Sequence, residues 1–209
     1  MISTLPELGL LSLILALCMA VPLAVIPLLG AARNNTLWMA YARPLVWGQF
    51  IFLLTSFVCL TYAFLADDFS VAYVAQNSNS ALPARYKFSA VWGAHEGSLL
   101  LWALILGGWT FAVSLFSRNL PEQLVARVLS VMGMISIGFL LFLILTSNPF
   151  LRILPGSPQE GADLNPLLQA IGLILHPPFL YLCYVGFSVA FAFSVVALLC
   201  GSLDCAWAR

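Results

Sequence analysis

The residue with the most evident chemical potential is His176, one of two histidines among 209 residues. It ends the segment Asn165-Pro-Leu-Leu-Gln-Ala-Ile-Gly-Leu-Ile-Leu-His176 and is followed directly by Pro177 and Pro178. A neutral imidazole is a good ligand for iron, because one ring nitrogen binds the metal along a defined axis. A histidine at a proline corner is therefore a candidate ligand of haem iron. Capping of helix carbonyls, or anchoring at a membrane interface, explains the same position equally well.

The other histidine lies in the segment Trp92-Gly-Ala-His-Glu-Gly-Ser-Leu-Leu-Leu-Trp102. His95 and Glu96 are adjacent and could handle a proton or orient a ligand, although neighbouring residues of a helix do not face each other. A structural role is also adequate, because a carboxylate is favourable near a helix start and Trp92 suits an aromatic belt at a membrane interface. We treat Trp92, His95 and Glu96 as a possible functional cluster of unassigned role.

The composition indicates an integral membrane protein. Hydrophobic residues make up 62% of the chain, charged residues make up 8%, and the mean hydropathy is +1.02. Soluble domains do not reach such values. The five cysteines form no Cys-x-x-Cys pair, which argues against a thiol-exchange or zinc site and favours apolar packing.

Long apolar runs predict the membrane spans. A helix needs about 20 apolar residues to cross roughly 30 Å of hydrocarbon. The runs that meet this length are 8–30, 44–66, 98–117, 124–147 and 178–201. All eight basic and all eight acidic residues fall in the loops or near the ends of these runs, where they avoid the hydrocarbon. We predict an all-α integral membrane protein with about five transmembrane helices, forming one membrane domain over residues 1–209.

Basic residues in the loops predict the orientation. One side carries Arg33, Arg43, Arg118, Arg127 and Arg209, and the other carries Arg85, Lys87 and Arg152. The side with more basic residues is expected to be cytoplasmic. The N-terminus is then outside and the C-terminus inside. The long connections 67–97 and 148–177 are outer loops, so both histidines lie on the outer side.

A short helix is predicted directly before His176. Asn165 can cap a helix whose first residue is Pro166. The apolar positions form one stripe, made of Leu167, Leu168, Ile171, Ile174 and Leu175. This amphipathic helix is too short to span, so it is expected to lie along the outer membrane surface with His176 opposite the stripe, near Gln169. The two prolines are predicted to end it and to begin the last span.

Four segments together resemble a known family. They are Trp92–Trp102, Asn165-Pro-Leu-Leu-Gln169, His176-Pro-Pro-Phe-Leu-Tyr181 and Tyr184-Val-Gly-Phe187. In this order they resemble the N-terminal part of the cytochrome c maturation protein family CcmF (CycK-like). The resemblance implies a part in a haem lyase of the bacterial inner membrane, which joins haem to apocytochrome c through thioether bonds.

The resemblance also implies a site and partners. His176 would be an outer-face axial ligand of a b-type haem, which the haem chaperone CcmE delivers for transfer to apocytochrome c. CcmH and the rest of the family fold would be further partners, and no nucleic acid is expected. The family's tryptophan-rich motif and later spans have no counterpart in these 209 residues, so activity of this chain alone is not expected and no catalytic residue is assigned.

Two alternatives from other classes stay open. One is a structural assembly subunit that binds other maturation proteins without contacting haem. The other is a proton or ion transporter subunit, which usually carries ionisable residues deep within its spans. The middle of each run lacks such residues, which argues against the transporter.

Overall fold

The computed structural model describes residues 4–153 and 155–200, and this part of the chain is almost entirely helical. The α-helices in it are α1 (Leu5–Ala32), α2 (Thr36–Ala40), α3 (Ala42–Leu65), α4 (Ala72–Asn77), α5 (Ala84–Ala90), α6 (His95–Phe116), α7 (Glu122–Leu145) and α8 (Ile171–Cys200). A 3-10 turn covers Pro166–Gln169. Gly201 and Arg209, which the sequence places in the last span and on the inner side, lie outside the described residues.

Five helical segments of the described chain are long and apolar enough to cross a membrane. They are α1, the α2–α3 pair over Thr36–Leu65, α6, α7 and α8. Within the described residues no strand forms, and an isolated bridge between Val71 and Arg152 is the only β pairing there. The predicted all-α membrane fold with about five spans is therefore confirmed.

Small residues allow the spanning helices to pack closely. α1 lies against α3 and α7, α6 lies against the same two helices, and α8 packs on α6 and α7. Gly133 of α7 faces the backbone nitrogen of Ala24 on α1, and an added Cβ there would lie only 3.1 Å from that nitrogen. Between membrane helices, close approach of this kind replaces the hydrophobic driving force that operates in water. Large apolar side chains such as Ile51 and Val58 point outward instead.

The predicted helix end at His176 is wrong. α8 runs without interruption from Ile171 through Pro177 and Pro178. The chain turns at Ala170, after the 3-10 turn, which stands in place of the predicted surface helix. Proline removes one backbone donor, but a helix in an apolar environment can continue through it when the freed carbonyl finds another donor. His176 consequently lies in the second turn of α8.

The two long connections meet at one end of the bundle, which we call the long-loop end (residues 66–94 and 146–170). The Ile153 N–H donates to the Ser70 carbonyl at 2.8 Å, and the Ser80 N–H and hydroxyl donate to the Glu160 carboxylate at 2.8 and 2.6 Å. The hydrogen bonds from Ser80 hold the pKa of Glu160 below its usual range. Lys87 forms an ion pair with Asp67 at 2.6 Å. The two connections therefore form one polar layer above the spans.

Arg152 joins this layer to the first helix. Its guanidinium donates to the Glu7 carboxylate at 2.9 and 2.8 Å, and it approaches Asp68 at 3.4 Å and the Ser70 hydroxyl. The hydrogen bond to Glu7 raises the pKa of Arg152 further above its usual value. The Arg152 side chain is 11% exposed and Asp68 is 15% exposed, so their contact is largely shielded from water, whereas Glu7 is 57% exposed. Arg152 thus fixes the start of α1 to the segment that follows α3.

The opposite end, which we call the short-loop end, contains residues 33–41 and 117–121. Four basic residues predicted to share one side of the membrane lie in these loops or within two helical turns of them: Arg33, Arg43, Arg118 and Arg127. Arg127 lies within α7, where its guanidinium donates to Cys200 Sγ at 2.6 Å and to the Ala31 carbonyl at 3.5 Å. Charged side chains of the described helices are therefore found near the ends of the bundle.

Replacement of Arg152 by glutamine is expected to destabilise the protein by about 3 kcal/mol, because Asp68, whose side chain is 15% exposed, would lose its cation. Thermal unfolding of the detergent-solubilised protein measures the change. Arg85→Gln is the matched control, since Arg85 is exposed and rests over the Tyr86 ring. Equal losses of stability in the two variants would contradict the role assigned to Arg152.

Candidate functional site at the long-loop end

Tyr73 organises the turn that leads into α6. Its hydroxyl donates to the Val91 carbonyl at 3.0 Å and accepts from the Ala94 N–H at 3.2 Å. Burial raises the pKa of Tyr73, so the hydroxyl stays protonated and can act as donor and acceptor together. The turn it holds is followed directly by His95, the first residue of α6.

Gly97 is required by the same contacts. An added Cβ at this position would overlap the Val91 carbonyl oxygen and lie against the Tyr73 hydroxyl. The obstacle on one side is backbone, which cannot move aside as a flexible side chain could. The second glycine of the Trp92–Trp102 segment therefore permits the turn to pack on the first turn of α6.

His95 faces α7 rather than Glu96. Its Nδ1 atom lies 3.3 Å from the Ser147 hydroxyl oxygen, and its ring is edge-on to Phe142 with 6.2 Å between the ring centroids. Its side chain is exposed, whereas Glu96 is half-buried. The two neighbours share no hydrogen bond in the described structure, so the hypothesis of a paired His95 and Glu96 receives no support from the geometry.

Trp92 connects the two segments that the sequence singled out. Its indole Nε1 donates to the Ile174 carbonyl at 3.1 Å, across 82 positions of the chain. In a regular helix that carbonyl would accept from residue 178, but Pro178 has no N–H. The buried indole therefore supplies the donor that Pro178 removes, and this bond favours the continuation of α8 past His176.

α6 and α8 make further contacts beyond the Trp92–Ile174 hydrogen bond. The Tyr181 hydroxyl lies 3.4 Å from the Ser98 hydroxyl, and the Tyr181 ring packs on Trp102 with 5.4 Å between centroids. Farther along, the Trp109 Nε1 donates to the Leu182 carbonyl at 3.1 Å. The segments Trp92–Trp102 and His176–Tyr181 are therefore neighbours in space.

His176 projects from this supported helix with its side chain exposed. It has no hydrogen-bond partner in the described structure. Gly172 lies one helical turn before it, and an added Cβ at Gly172 would meet nothing within 4 Å. A helical side chain leans over the preceding turn, so the small residue at position 172 leaves the imidazole accessible from that side. Phe179, 63% exposed, lies three positions later on a similar face.

The described residues contain no group of three or more His, Cys, Asp or Glu side chains that could hold a metal ion. An accessible imidazole can instead supply one axial ligand to a metal that brings its own macrocycle. Of the sequence-predicted residues, Trp92 supports the helix of His176, and His95 is turned toward α7.

Sequence reasoning did not find Tyr73, Ser147 or Trp109. Tyr73 and Ser147 each make their contacts with residues far away in the chain, so no local spacing marks them. Trp109 sits in an apolar run where aromatic residues are common. The role of Trp92 had a signal in the sequence: a helix that continues through Pro178 leaves the Ile174 carbonyl free, and that carbonyl then needs a donor from elsewhere.

Comparison with known proteins assigns the chain to a family. The profile of the cytochrome C assembly protein family matches residues 92–203, which include all four motif segments. The chain belongs to this family. The Trp92–Ile174 contact therefore lies within the part of the chain that the family profile covers.

Named relatives agree with that assignment. The chain is 74% identical to the cytochrome c-type biogenesis protein CcmF of Pseudomonas fluorescens, over 98% of this chain and 31% of the relative. It is 56% identical to CcmF of Escherichia coli K12, over 98% of this chain and 32% of the relative. CycK of Rhizobium meliloti is 51% identical over 97% of this chain. The predicted resemblance to the CcmF (CycK-like) family is confirmed.

A solved structure shares the fold. The structure titled cytochrome c haem lyase CcmF superposes with a TM-score of 0.85 at 29% identity, covering 98% of this chain and 32% of that one. The chain spans about a third of the length of the relatives it matches.

Gly97→Ala is expected to destabilise the protein by about 1–3 kcal/mol, because the new Cβ forces the turn at Val91 away from α6. Gly138→Ala is the control, since a Cβ at Gly138, also helical, meets nothing within 4 Å. Thermal unfolding in detergent compares the two. The steric explanation fails if both variants unfold at the wild-type temperature.

Trp92→Phe is expected to cost about 1–3 kcal/mol, since the Ile174 carbonyl loses its donor in an apolar setting. Trp109→Phe is the matched control, because the Leu182 carbonyl still has the Gly186 N–H one turn later. Adding Pro178→Ala restores a backbone donor for Ile174, so the cost of Trp92→Phe should fall to that of Trp109→Phe. An unchanged cost in the Pro178→Ala background would show that lost ring packing is responsible.

Proposed function

We propose that this chain is part of a cytochrome c-type haem lyase complex and that His176 binds haem at the outer membrane face. The observation that carries the proposal is the accessible imidazole of His176, which has no internal partner and stands beside open space at Gly172. Its helix is fixed by Trp92, and all three residues belong to the stretch that matches the cytochrome C assembly family.

The surroundings of His176 suit haem as a substrate. Haem is a largely apolar plate, and the exposed side chains near His176 include Leu173 and Phe179, 43% and 63% exposed. An aromatic ring can pack against a macrocycle, while the imidazole reaches the iron. We assign the substrate as b-type haem, which is not yet covalently bound to protein.

The role of the chain in the reaction is to orient the substrate. Thioether formation adds a cysteine S–H of the apocytochrome across a haem vinyl group, so sulfur bonds to one vinyl carbon and hydrogen to the other. Holding the iron through one axial ligand fixes the haem plane, which lets the thiols be presented to the vinyl groups. His176 is thus a ligand to the substrate and not a nucleophile.

The partners and the location follow from the same proposal. The long-loop end faces the periplasm, and the membrane is the bacterial inner membrane, in agreement with the larger number of arginines at the short-loop end. CcmE delivers haem, apocytochrome c receives it, and CcmH and the remainder of the CcmF fold complete the complex. No nucleic acid is involved.

The test is a haem absorbance spectrum of the full chain, purified in detergent after co-expression with CcmE. We expect a haem spectrum that His176→Ala reduces about tenfold or more, as for the loss of a metal-site residue. His95→Ala should keep it, because the His95 imidazole is engaged with the Ser147 hydroxyl at 3.3 Å.

A second variant tests the geometry separately. Gly172→Leu keeps the ligand but places a large side chain beside it, so bound haem should decrease while helix content by circular dichroism is unchanged. Equal haem in wild type and His176→Ala would overturn the assignment of His176. Absence of haem from all samples would favour a structural assembly subunit.

A further inference from the structure

A cavity of about 330 Å³ opens at the short-loop end, away from the histidines. It lies between the start of α3, the loop before α7 and the first turns of α7. Its lining residues are Met39, Ala40, Ala42, Arg43, Arg118, Leu120, Glu122, Val125 and Ala126. The floor is apolar and buried, at Met39, Ala42, Val125 and Ala126, and the charged residues are exposed.

The charged side chains at the mouth of the cavity form its rim, and they bind no other residue of the described protein. The side chains of Arg43, Arg118 and Glu122 make no hydrogen bond or ion pair in the described structure. Two guanidinium groups and one carboxylate leave a net charge of about +1 at the mouth. The first turn of α7 also opens here, and the N-terminal end of a helix favours an anion. Guanidinium groups bind phosphate through paired N–H donors.

A phosphate group could belong to a lipid or to a free ion, and the position of the cavity along the spans favours a lipid. It lies where α3 and α7 begin and α6 ends, which is the level of lipid headgroups whichever way the bundle is oriented. Exposed aromatic residues lie near its lining residues along the chain: Trp47 is one turn beyond Arg43 and 45% exposed, Tyr41 is 56% exposed, and Phe116 is 85% exposed. Aromatic side chains of this kind mark the interface between hydrocarbon and headgroups.

We propose that this cavity binds the headgroup of an anionic glycerophospholipid. The phosphate diester lies between Arg43 and Arg118, and hydroxyl groups of a glycerol headgroup donate to Glu122. The acyl chains run along the lipid-facing surface at Trp47 and Phe116. The net charge decides the class of lipid: a monoanionic headgroup neutralises the rim, whereas a zwitterionic headgroup leaves it positive. Basic pockets at the ends of membrane helices bind anionic lipids in this way.

Native mass spectrometry of the full chain tests the site. The protein is released from detergent after incubation with equal amounts of phosphatidylglycerol, phosphatidylethanolamine and phosphatidylcholine. We expect phosphatidylglycerol to be retained about tenfold over phosphatidylcholine. The double variant Arg43→Gln, Arg118→Gln should lose this preference, and Arg43→Lys, Arg118→Lys should keep part of it, because lysine keeps the charge without the paired donors.

Arg85→Gln is the control, since Arg85 lies at the long-loop end over the Tyr86 ring, and it should leave the preference unchanged. Circular dichroism checks that the double variant is folded. If the double variant does not fold, the single variant Arg118→Gln, in the loop before α7, is tested in its place. Equal retention of the three lipids by wild type overturns the proposal. So does a preference that survives loss of the arginines, or one that excess inorganic phosphate removes completely, since the site would then recognise free phosphate.

Discussion

The structure depends on one requirement: every backbone carbonyl within an apolar environment needs a donor. Pro178 leaves the Ile174 carbonyl without its regular partner, and the Trp92 indole provides one at 3.1 Å. This bond favours the continuation of α8 past His176, where the prolines alone predict a turn. It follows that the imidazole projects from a regular turn and that α8 begins at Ile171, next to the loop layer. The position of the candidate ligand is thus influenced by Trp92, in the turn that precedes α6.

The hydrocarbon requirement also explains where the polar chemistry of this chain is found. The middle of the bundle is held by apolar side chains and close contacts at small residues, such as Gly133 against α1. The ion pairs of the described residues lie at the long-loop end, as in the contacts of Arg152 with Glu7 and Asp68, whereas hydroxyl groups within the spans bond to carbonyls of their own helix. Charges at these positions retain some contact with water or with a partner, which lowers the cost of keeping them near the membrane.

The two ends of the bundle consequently offer different recognition chemistry. At the long-loop end, the His176 imidazole is exposed and has no internal partner, which is the basis for proposing it as a ligand. At the short-loop end, guanidinium groups without internal partners surround an apolar cavity and suit a phosphate. Both sites use side chains that the fold leaves unpaired, and both are placed by helices whose positions are determined through packing.

Sequence by itself determined the class of this protein, its five apolar helices, the location of both histidines near the ends of spans and the family resemblance. These depend on composition, on run length and on motifs, all of which are local properties of the chain. The turn at Ala170, the partner of Trp92, the contacts of Tyr73 and the orientation of His95 toward Ser147 were decided only by the tertiary structure. Each rests on a donor, an acceptor or a neighbouring surface from a distant part of the chain. Helix propensity around Pro177 and Pro178 predicts a break because it counts the missing N–H and cannot count the indole that replaces it.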